Sequence, residues 1–180
     1  MAFENFILNI LIFIGIYIIL GISLQIALGY TGLLNFGHAA FYGIGAYASA
    51  LLTLNLKFPF IISFLLAGII SSFFGLLLSF PTLKLRGDYL ALATIGFGII
   101  TEQILKNWKS LTRGPLGIPG IPKPEIFTFE FSSLFSYLIL VYILVIIVYV
   151  INSRIINSPF GRVLKSIRDD ELAASTLGKN

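Results

Sequence analysis

Long uncharged runs, each close to membrane width and separated by short clusters of charge, set the pattern of this chain. In the longest, the 52 residues 5–56 contain no Asp, Glu, Lys or Arg. About 20 helical residues cross a hydrocarbon core, so this run predicts two passes and a connection between them. The first pass is expected over residues 6–28, nearly continuous in aliphatic side chains. Its exception is Gln25, whose amide would face protein rather than lipid. The second is expected over 37–55, where small residues recur at four-residue spacing: Ala39 and Gly43, Gly45 and Ser49, Ala46 and Ala50. That spacing lets a neighbouring helix approach closely. Lys57 and Pro59 end this pass, and a third is expected over 58–83, with Pro81 at its close. After the charged turn Lys84-Leu85-Arg86-Gly87-Asp88, residues 89–106 predict a fourth. Its uncharged core stops at Thr101, but Glu102 and Lys106 lie i, i+4 with the acid first and can pair on a helix. The helix can therefore continue to the interface, where Trp108 suits the aromatic belt. Residues 107–130 carry Pro115, Pro119, Pro122 and Pro124, which exclude a continuous helix, and predict an aqueous loop of turns and extended pieces. The uncharged residues 131–153 predict a fifth pass. The expected fold is an all-α, polytopic transmembrane protein of about five passes.

The connection between the first two passes is not an ordinary polar loop. The stretch GYTGLLNFGHAAFYGIGAY (29–47) holds five glycines, Thr31, Asn35 and the single histidine, His38. It reads either as a tight surface turn, with glycines supplying positive φ, or as a broken helix entry lining a solute path. Polar, flexible backbone at membrane depth is tolerated only where protein or a water-filled cavity covers it, and transporters bind solute at such unwound segments. The second reading makes Gly29, Tyr30, Gly32, Asn35, Gly37, His38 and Gly43 the candidate path residues. For His38, a hydrogen bond to a neighbouring helix competes with solute contact.

Composition supports the membrane reading. Hydrophobic residues make up 57% and charged ones 11%, against about 25% charged in soluble domains, and the mean hydropathy is +0.97. Cysteine is absent, which removes disulfides and thiol chemistry. The net charge of +4 requires no nucleic-acid partner, because a modest basic excess is usual for membrane proteins. The N-terminus MAFENFILNI has no Lys or Arg before the apolar run, so it lacks the basic start of a cleaved signal peptide and the first helix is expected to be retained. No nucleophile, base or metal-ligand set converges in the sequence, so neither catalytic nor metal-binding residues are expected. An ATPase is excluded: a P-loop needs glycine five residues before its Gly-Lys and Ser or Thr after it. Gly178-Lys179 has Ala173 and Asn180 at those places.

The tail, residues 154–180, carries its own signals. Ser158-Pro159 is a capping residue followed by proline at the first helical position. Asp169, Asp170 and Glu171 stand where a second short helix would begin, at the positive end of its dipole. Leu172, Ala173, Thr176 and Leu177 form a small apolar face, and Gly178 is a candidate C-cap. This is either an interfacial amphipathic segment or a docking element whose apolar face enters a groove on a partner. With the tail cytoplasmic, alternation places seven basic residues inside and five outside, the sign that the positive-inside rule asks for. The N-terminus and the 107–130 loop then lie outside.

Four blocks carry a family resemblance: GYTGLLNFGHAAFYGIGAY (29–47), LRGDYLALATIGFG (85–98), NWKSLTRGPLGIPGI (107–121) and SPFGRVLKSIRDDELAASTLG (158–178). Together and in this order they resemble the permease subunit of branched-chain amino acid ABC transporters. The resemblance implies a multi-pass protein of a prokaryotic plasma membrane. Its partners would be a second permease subunit, two cytoplasmic ATPase subunits, an extracytoplasmic solute-binding protein and membrane lipid. No cofactor would be bound by this chain, ATP being held by the partner subunits. The 29–47 block resembles part of the path-lining core, and the 107–121 block the extracytoplasmic loop near the binding protein. The last block resembles the cytoplasmic coupling loop, which makes Pro159, Gly161, Arg162, Asp170, Glu171, Leu172, Ala173, Leu177 and Gly178 the candidate ATPase-coupling residues. The family's additional N-terminal helix and the helices that follow its coupling loop are missing, so a fragment or half of a split permease is expected. An ion-coupled secondary carrier or a channel is the alternative that broken helices alone would suit, but neither needs a docking tail.

Overall fold

The uncharged runs fold as helices because hydrocarbon leaves no other partner for backbone N–H and C=O groups than the helix itself. The computed structural model describes residues 2–82, 85, 87–126 and 129–176. Its order is α1 (Ala2–Gln25), a π-helical turn (Ile26–Tyr30), α2 (His38–Asn55), α3 (Phe60–Thr82), α4 (Asp88–Asn107) and α5 (Lys109–Thr112), then a 3-10 turn (Gly114–Leu116). The strand pair β1 (Glu125–Ile126) and β2 (Phe129–Glu130) follows, then α6 (Leu134–Asn157), α7 (Pro159–Asp169) and α8 (Glu171–Thr176). Apart from that antiparallel pair of two-residue strands, the fold is all-α.

Among the described residues, four helices are long and apolar enough to cross a membrane: Phe3–Tyr30, Phe60–Thr82, Asp88–Asn107 and Leu134–Asn157. They correspond to four of the five expected passes. The run expected to supply the remaining pass, α2, has 18 residues, and its His38, Asn55, glycines and tyrosines lower its apolarity. Side chains such as Phe13, Leu65 and Ile146 stand exposed on the spans, as a lipid-facing surface requires. The buried positions are mostly small residues, among them Ala40, Ala50, Ser63 and Ala67.

The chain divides into two compact units, one of Met1–Asn35 with Ser132–Asn180 and the other of Phe36–Phe131. In the first, α1 packs on α6. A Cβ added at Gly15 would lie 2.6 Å from Val141 Cγ1, so the two helices touch almost backbone to side chain there. The π-helical turn at the end of α1 meets α6 and α7, so α1 and α6 run in the same direction.

In the second unit α2 and α3 form an antiparallel hairpin. Ser71 Oγ donates to the Phe41 carbonyl at 2.8 Å, and positions Gly45 and Gly75 bring Ser71 and the Phe41 ring within 3.8 and 3.7 Å of where a Cβ would stand. α4 packs against α2 through the Phe41 and Phe97 rings, 5.3 Å apart. The loop after α4 is ordered by Thr112, only 1% exposed, whose Oγ1 donates to the carbonyls of Leu105 (2.6 Å) and Trp108 (2.8 Å). Turns and the strand pair complete it, as its prolines and glycines predict.

Candidate functional site

Two places collect the residues that the sequence singles out, one in each unit. The first is the end of α1. Leu33 N–H, which would close onto the Gly29 carbonyl in a continued α-helix, instead reaches the Ala27 carbonyl at 3.0 Å, and Thr31 Oγ1 donates to the same oxygen at 2.5 Å. The Gly29 carbonyl accepts Arg168 Nη1 at 2.8 Å. Three residues earlier on the same face of α7, Lys165 Nζ lies 5.3 Å from the centre of the Tyr30 ring, in range for a cation–π contact. Gly32 has φ +71°, and a Cβ there would be 2.9 Å from Arg168 Cγ, so glycine is needed both for the backbone and for the approach.

α7 is aimed at this helix end by its start. Ser158 Oγ accepts the Gly161 N–H at 3.3 Å and donates to the Ile155 carbonyl at 2.6 Å, which closes one helix and caps the next. Pro159 occupies the first turn, where its missing N–H costs nothing. Gly161 is buried against the last turn of α6: a Cβ would fall 2.1 Å from the Ile156 carbonyl oxygen. Asp170, in extended backbone, caps α8 by accepting Ala173 N–H on Oδ1 at 3.0 Å. Arg162, Asp170 and Ala173 are exposed, and Ala174 beside them is buried, 3% exposed. Glu171 and Leu172 lie on the α8 backbone, with side chains outside the description, and Leu177 and Gly178 lie outside the described residues.

The second place is the start of α2. Phe36 N–H donates to Thr94 Oγ1 at 3.1 Å, and a Cβ on Gly98 would stand 3.8 Å from Gly37 Cα. Gly98 is ten residues after Asp88, so α2 begins about 15 Å along α4, at 1.5 Å per residue. The two helices run parallel, since Gly43 faces Leu105, 3.7 Å from a Cβ built on the glycine. Between them opens a cleft of about 410 Å³, whose walls include Phe36, Gly43, Gly98, Ile99, Glu102 and Leu105. Glu102 pairs with Lys106 one turn on, as their spacing predicts. His38 is the first residue of α2 and Gly37 beside it is buried.

The structure therefore splits the stretch 29–47. Gly29, Tyr30 and Gly32 sit against α7, Gly37 and Gly43 face α4, and His38 opens α2. Asn35, at the division, has a buried Oδ1 without a partner among the described residues, and so has Asn152 on α6. Sequence reasoning did not single out Arg168 or Glu102 as site residues. Signals existed for both: Glu102 is an acid at the end of an otherwise uncharged run, and Arg168 is spaced to share one face of a short helix with Lys165. Among the described residues, no group of His, Cys, Asp and Glu side chains is placed to hold a metal ion.

Four helices long and apolar enough to cross a membrane, among the described residues, are those of a multi-pass membrane protein. Residues 6–180 match the family described as branched-chain amino acid transport system / permease component, and the chain belongs to that family. It is 41% identical over 187 residues to the high-affinity branched-chain amino acid transport system permease protein LivM of Salmonella typhimurium, covering 91% of this chain and 44% of the relative. The protein of the same name in Escherichia coli is 40% identical over the same shares. A probable branched-chain amino acid transport permease protein LivM of Methanocaldococcus jannaschii is 28% identical over 95% of this chain and 59% of its own length. The chain thus spans less than half the length of the first two relatives. No solved structure matches it. Membership places the chain among permease components and not among the catalytic subunits of such systems.

Proposed function

We propose that this chain forms part of the translocation path for branched-chain amino acids in an ATP-driven importer and docks the ATPase through α7 and α8. The observation that carries this reading is the family match over residues 6–180, with relatives named as high-affinity branched-chain amino acid permeases at 41% and 40% identity. A second permease subunit, two cytoplasmic ATPases holding ATP, an extracytoplasmic binding protein and surrounding lipid complete the assembly. This chain supplies the path and receives the movement that ATP drives on its partners.

The α2 start supports the broken-entry reading of residues 29–47 over a surface turn. An α2 that begins about 15 Å along a candidate span has its first turn at membrane depth, where irregular backbone is tolerated only if protein or a water-filled cavity covers it. α2 is then the second of five passes, and the cleft beside Gly43 and Glu102 is the segment of the path that this chain contributes. Its mostly apolar walls suit a branched side chain, with Thr101 and Glu102 as polar groups in its lining.

The docking half of the reading predicts an order of effects. An aspartate on the apolar face of α8 would carry an unpaired charge into the interface, at roughly 2 kcal/mol or more. Ala173→Asp therefore weakens capture of the ATPase at least about tenfold. Arg162→Gln removes an exposed charge, of the kind that is worth about 0–1 kcal/mol, and costs less. Pull-down of the ATPase by the full-length permease carrying each variant measures both. Capture of the ATPase by Ala173→Asp at the unsubstituted level would remove α8 from the interface.

A further inference from the structure

We propose that Arg168 is a transmission residue: it ties α7 to the π-helical end of α1, so that a displacement of α7 is passed directly to that helix end. The inference rests on the reading above, in which α7 and α8 receive the movement of the ATPase, and it adds where that movement goes. The tie has three parts on one face of α7. Arg168 Nη1 donates to the Gly29 carbonyl at 2.8 Å, and the Arg168 stem lies over Gly32, with room for no side chain there. Lys165 covers the Tyr30 ring.

The guanidinium is itself held. Asp169 Oδ1 accepts from Arg168 Nη2 at 3.0 Å and from Nε at 3.2 Å. The planar fork therefore has one edge fixed on its own helix and the remaining nitrogen aimed at Gly29, a division of labour that a lysine cannot reproduce. The receiving end suits the task. A π-helical turn is a local irregularity in the helix ladder, and here the Leu33 N–H bypasses Gly29 for Ala27. The end of α1 can therefore change its pairing without unwinding the span, and the carbonyl that Arg168 grips lies inside that turn. Arg168 acts through α1 and touches no solute, so it is a positioning residue.

The test uses the full-length permease assembled with its ATPase and binding protein in proteoliposomes, with ATPase capture, ATP hydrolysis and uptake measured separately. For Arg168→Ala we expect capture and hydrolysis to continue while uptake per ATP falls about tenfold, and for Arg168→Lys a smaller fall. Uptake per ATP unchanged in Arg168→Ala would overturn the proposal, as would loss of capture, which would make Arg168 part of the docking surface instead. Failure of the unsubstituted permease to capture any ATPase would instead refute the docking reading itself.

Discussion

At the scale of single residues, Gly161 is the most constrained position in the C-terminal joint. A side chain there would meet the Ile156 carbonyl oxygen at 2.1 Å, and the obstacle is backbone, which cannot rotate away. Gly161→Ala must therefore open the angle between α6 and α7 and disturb the Ser158 bonds that close and cap the two helices. Overpacking of this kind costs roughly 1–3 kcal/mol. The full-length permease in detergent should therefore melt at a lower temperature. A Tm equal to that of the unsubstituted protein would mean that the joint is looser than the structure describes. Gly15 is a second close approach, here against the Val141 side chain. It escaped sequence reasoning because its partner lies more than a hundred residues away and nothing in the local pattern marks the contact.

Elements were far more legible than their contacts, for physical reasons. Runs without charge select helices in a membrane whatever their order, and helices Asp88–Asn107 and Leu134–Asn157 stand where passes are expected over 89–106 and 131–153. The starts of α7 and α8 were legible because capping is local: Ser158-Pro159 and Asp170 act on N–H groups within three residues. The π-helical turn was not, since a shift from i+4 to i+5 pairing needs no particular composition. The division of residues 29–47 was also hidden. Gly29 and Arg168 are 139 residues apart, and their meeting depends on the parallel packing of α1 and α6. Pro81, expected to close the third pass, sits one residue before the end of α3. A proline so near the C-terminus removes one backbone hydrogen bond but leaves few residues beyond it to displace.

The whole molecule has a definite expected orientation. With α7 cytoplasmic, the single crossing by α6 puts α5 on the outer face. A single cysteine replacing Ser110, on α5, should react in intact cells with a maleimide that cannot cross the membrane, with no native thiol as background. If Ser110→Cys reacts only after permeabilisation, the orientation is inverted.

The central claim is that solute moves through an assembly containing this chain at the expense of ATP bound by other subunits. It is tested most directly by filling proteoliposomes of the full-length permease and its partners with ATP on the ATPase side. Labelled leucine is then supplied with the binding protein on the other. The account predicts accumulation above the external concentration that requires ATP and that persists when ion gradients are dissipated. Accumulation that follows an ion gradient and ignores ATP would contradict it and make the protein a secondary carrier.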